Sequence, residues 1–191
     1  MKKSTLVQDK KVNYYMAKLS IVICGIAILA GCVSQNIEKR NEQLGLSGLK
    51  IGMNIETLKE KYGDKLKSEF TLDGQGFKVE TTEKWNHGIS FIFKEDKLIK
   101  IFASKTIKDD AHFQATLEDL ELILGSPDDE SPKLVPHFLM RLWGEGKLVH
   151  GTVMPEVQAK GEYVLVWFMP SQFKPGKRNE DALWLIIEQK D

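Results

Sequence analysis

The sequence predicts an α+β fold, with short helices packed on an antiparallel sheet as two tandem helix-plus-hairpin modules. Two ten-residue segments with the same helix grammar lie 62 positions apart, and each is followed by alternating apolar and polar runs broken by short polar turns. Of the 191 residues, 42% are hydrophobic, including nine Phe and four Trp. That is core material which a disordered chain lacks.

In chain order, the first element is a leader. Leu19 to Ala30 is an uncharged apolar run preceded by Lys10, Lys11 and Lys18. A spanning helix needs roughly 20 such residues, so the run has the length of a signal-peptide core behind a positive flank. Met16 opens a second plausible leader, which leaves the start at Met1 or Met16 open.

Leu29-Ala30-Gly31-Cys32 follows at once. It resembles the bacterial lipobox, and the resemblance implies a signal peptide over residues 1–31, cleavage between Gly31 and Cys32, and diacylglycerol and palmitate-type acylation at Cys32. A thiol forms the thioether near neutral pH where a hydroxyl would not. Two or more acyl chains, at ~0.8 kcal/mol per buried CH₂, hold a protein stably on a membrane. Val33 resembles outer-membrane sorting, which implies an outer-membrane anchor facing the periplasm in a cell with two membranes. Cys24 would leave with the leader, so the mature chain has no internal disulfide to form.

Residues 32–45 are polar and without apolar period, and read as a lipidated tether. Residues 46–111 and 112–191 are the expected first and second α+β modules. Asn54 to Gly63 and Thr116 to Gly125 each open on an N-cap residue. They carry apolar positions at Ile55, Leu58, Tyr62 and at Leu117, Leu120, Leu124, and close on a glycine suited to a helix end.

In the first half, Gly76 to Trp85 and Ile89 to Phe93 read as strands, and the turn Lys94 to Lys97 leads to Leu98 to Phe102. In the second half, Phe138 to Trp143 and Lys147 to Val153 flank a Gly144-Glu-Gly146 turn as an expected hairpin. Tyr163 to Met169 and Ala182 to Ile187 add two strands around a polar turn at residues 174–181.

Leu49 to Gly63, with its Ile51-Gly52-Met53 turn into a short helix, resembles the opening of the BamE/SmpA-like envelope lipoproteins, and Leu124-Gly-Ser-Pro127 is similar to the end of that helix. The resemblance spans about 15 residues in each half and departs from the family at Tyr62-Gly-Asp64 and in doubling the module. It implies a small α+β module and an envelope location, and no partner-binding residue.

Charge and motifs narrow the function classes. Residues 1–31 hold five Lys and one Asp of the 27 basic and 27 acidic residues, so the remainder has 22 against 26 and a charge of −4. No nucleic-acid partner is expected from that balance. His87, His112, His137 and His150 lack zinc-ligand spacing, so no metal and no cofactor are expected. Gly45-Leu-Ser-Gly48 lacks the nucleophile-elbow spacing. Asp109-Asp110 and Asp128-Asp-Glu130 read as solvated turns, without the alternating ligands calcium needs.

Trp167 and Trp184, inside apolar runs, read as core. Trp143, beside a glycine turn, is the candidate partner contact. The expectation is a membrane-anchored, non-enzymatic protein-binding or assembly module that engages another envelope protein. The alternatives are a cell-wall- or lipid-directed enzyme with a carboxylate site, or an inhibitor of a secreted enzyme.

Overall fold

A computed structural model describes residues 36–72, 74–80, 82–131, 139–149, 156–169 and 181–190. The leader, Gly31 and Cys32 lie outside these residues, as do His137, His150 and most of the expected turn at residues 174–181. The fold is α+β. Residues Arg40–Asp191 form one compact unit.

Residues 36–43 are helical (α1). The first half continues with α2 (Ile55–Tyr62), a 3₁₀ turn (Gly63–Lys65), β1 (Lys67–Glu69), β2 (Gln75–Val79), β3 (Ile89–Lys94) and β4 (Lys97–Ile107). The second half holds α3 (Asp110–Leu124), β5 (Asp129–Glu130), β6 (Leu139–Trp143), β7 (Gly146–Val149), β8 (Glu156–Ala159), β9 (Gly161–Met169) and β10 (Asp181–Lys190). Eight strands make one antiparallel sheet in the order β1-β2-β3-β4-β10-β9-β6-β5, and β7-β8 form a separate hairpin.

That order contains a two-fold pattern. Each half is a helix followed by four sheet strands that neighbour one another in chain order, and the halves join where their last strands, β4 and β10, pair antiparallel from Lys100–Glu188 to Ile107–Asp181. The helix-then-strands doubling seen in the sequence is therefore present in the topology. The division into separable modules is not, because one sheet and one core run through both halves.

Side chains alternate across each strand, so the register sorts the sheet into two faces. On one face lie Phe77, Phe91, Ile101, Leu185, Val166 and their row neighbours, covered by residues of α2, α3 and the Leu44–Met53 segment in the main core. Tyr62 of α2 stands 5.7 Å from the Phe91 ring, and Phe113 of α3 stands 4.3 Å from Phe168. On the other face, Met140, Leu142, Tyr163, Leu165 and Ile186 form a second cluster, packed against Leu148, Val157 and Ala159 of the β7-β8 hairpin.

Several local expectations are corrected. The last part of the stretch expected to be a tether, residues 40–45, enters the fold: Leu44 is fully buried, and buried Asn41 donates to the Leu49 carbonyl at 2.6 Å. Only burial of the amide with a bonded partner makes that position tolerable for Asn. The second helix begins six residues before Thr116, capped by Asp109, whose carboxylate accepts from the His112 amide at 2.7 Å. Thr116 is a buried interior residue, and a boundary at 111/112 would cut this helix. β2 ends at Val79, and Trp85 turns inward from a loop. β6 and β7 do not pair as a hairpin: β6 lies between β5 and β9, while β7 pairs with β8, which sequence reading did not find. The β3-β4 turn stands as expected, with Glu95 and Asp96 both at positive φ, the backbone a two-residue hairpin requires.

Candidate functional site

The sheet face opposite the helices is divided by the β7-β8 hairpin. The hairpin packs over strands of the second half, and no described helix or hairpin covers the equivalent part of the first half. There the register sets residues side by side: Lys78 opposite Ser90, Ser90 opposite Phe102, and Ser104 opposite Trp184, which in turn faces Trp167.

A cavity of about 190 Å³ opens on this area. It is lined by the aromatic Phe102 and Trp184, by Ser90 and Ser104, and by Lys78, Glu69 and His87. The Trp184 ring lies 4.8 Å from Trp167 and 6.3 Å from Phe102, so its neighbours hold it in place. The His87 segment is held against β4. Its amide donates to the Ser104 carbonyl at 3.1 Å, and its ring Nε2 lies 2.6 Å from the Thr106 hydroxyl. Gly88 lets the same segment lie against the end of β2: at φ +94° it has no strain, and a Cβ there would lie 2.3 Å from the carbonyl oxygens of Val79 and Glu80.

Further along the same face, the Tyr163 hydroxyl donates to Glu188, which also pairs with Lys100 at 3.3 Å. Burial, then the bond and charge of Glu188, push the Tyr163 phenol far above its ordinary range. The unfolded chain ionises this phenol near pH ~10 while the folded chain keeps its proton, so stability is expected to fall as pH rises past ~10. Below that pH both states hold the proton and the contribution is flat. Urea unfolding midpoints across the alkaline range should show a shallower decline in Tyr163→Phe. Some decline should remain, since burial also raises Tyr62.

On the helix side, Lys105 donates to the Thr116 hydroxyl at 3.3 Å, and burial lowers the pKa of both Lys105 and Lys84. These amines sit between sheet and helices, and neither lines the cavity.

The acidic segment expected to be solvated turns is structural. Asp128 accepts from the Gly144 amide at 2.7 Å, Asp129 from the Leu148 amide at 2.6 Å, and Glu130 binds Arg141 at 2.6 Å. Together they clamp the turn between β6 and β7. Among the described residues no group of three His, Cys, Asp or Glu side chains is placed to hold a metal ion.

The tryptophans exchange their expected places. Trp143 is not an exposed contact: it is 6% exposed, and its indole donates to the Gly125 carbonyl at the end of α3 at 2.9 Å. Trp167 and Trp184 are only half-buried and lie on the face away from the main core. Strand parity is the reason. Trp143 shares a face with Leu139, while Trp167 alternates with core-facing Val166 and Phe168.

Two apolar side chains stand out at the edge of the sheet. Phe70 is 88% and Leu72 92% exposed in the connection from β1, the terminal strand, to β2. The sequence reading did not single them out, although Phe and Leu in a polar run beside Gly74 and Gly76 are the available signal. Leu122 on α3 is 87% exposed as well. No described helix is long and apolar enough to cross a membrane. Comparison with protein-family models, with curated proteins and with solved structures gave no match.

Proposed function

We propose that this chain is a lipid-anchored envelope protein, cleaved between Gly31 and Cys32, whose folded part is a non-catalytic protein-binding or assembly module. The anchor rests on the lipobox resemblance, and the similarity of the Leu49–Gly63 opening to BamE/SmpA-like lipoproteins accords with it. In a cell with two membranes the module faces the periplasm from the outer membrane.

The observation that carries the binding role is the pair Phe70 and Leu72, almost fully exposed beside the terminal strand β1. Side chains of this kind cost solubility when left in water, and a sheet edge offers backbone donors and acceptors to an extended segment. A partner strand laid along β1, with apolar side chains against Phe70 and Leu72, satisfies both.

Two measurements test this reading. Metabolic labelling with a clickable palmitate analogue should mark the native chain in membranes and leave Cys32→Ala unlabelled; equal absence of label in both removes the anchor. Photocrosslinking from position 70 in intact cells should give a discrete adduct, lost in Leu72→Ser and Leu72→Asp variants whose unfolding midpoints are unchanged. An adduct pattern indifferent to those substitutions rejects the edge as the docking site.

A further inference from the structure

We infer that the cleft on the part of the sheet that no described helix or hairpin covers binds a single neutral sugar ring. This goes beyond the protein-binding reading and rests on different residues.

A sugar ring has one face of C–H bonds and a perimeter of hydroxyls. It therefore calls for an aromatic surface with donors and acceptors around its margin. Trp184 and Phe102 are such a surface, and Trp184 is fixed by its packing on Trp167, so little side-chain freedom is lost on binding. The register places Ser104 opposite Trp184 and Ser90 opposite Phe102, so each aromatic ring of the cleft has a serine beside it.

The charges on the rim favour a neutral ligand. Glu69 faces the same cavity as Lys78, so neither a free anion nor a free cation meets an unbalanced field. The two side chains instead supply an acceptor and a donor for hydroxyl groups. Size points the same way. At about 190 Å³ the cleft is below the roughly 300–1,000 Å³ of pockets that take larger ligands, and its mixed lining does not suit a purely apolar one.

The asymmetry between the halves supplies an independent reason. In the second half the β7-β8 hairpin seals the equivalent face with Leu148 and Val157. The first half has Lys78 and Ser90 there, both partly exposed, and no described hairpin packs on them.

Isothermal titration calorimetry of the full chain in detergent, with glucose, N-acetylglucosamine and a β-1,4-linked tetramer of the latter, tests the inference. Saturable binding to at least one sugar is expected in the millimolar range that one ring on an open cleft supports. Ser90→Leu, which fills the cleft from a half-buried strand position, should abolish it without moving the unfolding midpoint. Trp184→Leu should weaken binding about tenfold.

Equal affinity for monomer and tetramer would assign the site to a free ring or chain end, and tighter binding of the tetramer to a ring within a chain. Absence of saturable binding to every sugar overturns the inference. So does binding that survives both substitutions, or displacement of the sugar by inorganic phosphate or acetate. Each of these results leaves the crosslinking outcome at position 70 unaffected, so the two readings fail separately.

Discussion

Trp85→Ala is expected to lower the unfolding free energy by about 3–5 kcal/mol, a large part of the roughly 5–15 kcal/mol by which a domain of this size is stable. Trp85 is 1% exposed although it lies in a loop between β2 and β3, and its indole donates to the Leu44 carbonyl at 2.8 Å. Truncation opens a cavity against the main core and leaves that carbonyl without its donor. Trp85→Phe separates the two effects, since it keeps most of the volume and loses only the bond, at about 1–3 kcal/mol. Urea unfolding followed by circular dichroism measures both. A cost near zero for Trp85→Ala would mean that the Leu44 segment is not docked on the sheet.

Leu185→Asp is expected to abolish folding of both halves together. Leu185 is 1% exposed, opposite Ala103 on β4 and opposite Val166 on β9. A carboxyl there has no polar partner and costs at least about 4 kcal/mol whether it ionises or takes up a proton. Hydrogen exchange by mass spectrometry should show protection lost across β1–β4 as well as β5–β10. Retained protection in either half would mean that the halves fold as independent modules.

The sequence carried the fold class through two features that local chemistry determines. Helix caps and periodicity located Ile55–Tyr62 to the residue, and alternation found β3, β4, β6, β9 and β10. What it missed depended on contacts distant in the chain. Nothing in Asn41 or Leu44 announces burial, because their partners are Leu49 and Trp85. The β7-β8 pairing joins strands separated by residues 150–155, whereas the shorter β6-β7 turn offers a nearer partner. Thr116 has the chemistry of a cap, but cap residues also occur inside helices, and the capping carboxylate here is that of Asp109.

The candidate site was the least legible part. Its residues come from β1, β2, β3, β4, β10 and the loop before β3, so no contiguous motif marks it. The tryptophans stand out in the sequence as functional candidates, but sidedness depends on strand register relative to helices, and composition does not encode that. An apolar run around Trp184 looks the same whether the ring faces the core or the opposite face.

The central seam also governs how fast the protein assembles. The four-strand meander of the first half can form from contacts close in the chain, yet β4 must wait for β10, the last described strand in chain order, before the sheet closes. Loop-closure entropy across that interval makes the seam the slow step. Until it forms, β4 presents an unpaired edge of eleven residues, far longer than the three-residue β1 and two-residue β5 that border the finished sheet. The nascent chain is thus most prone to self-association in the interval before β10 arrives, and a chaperone that shields one extended edge would protect it.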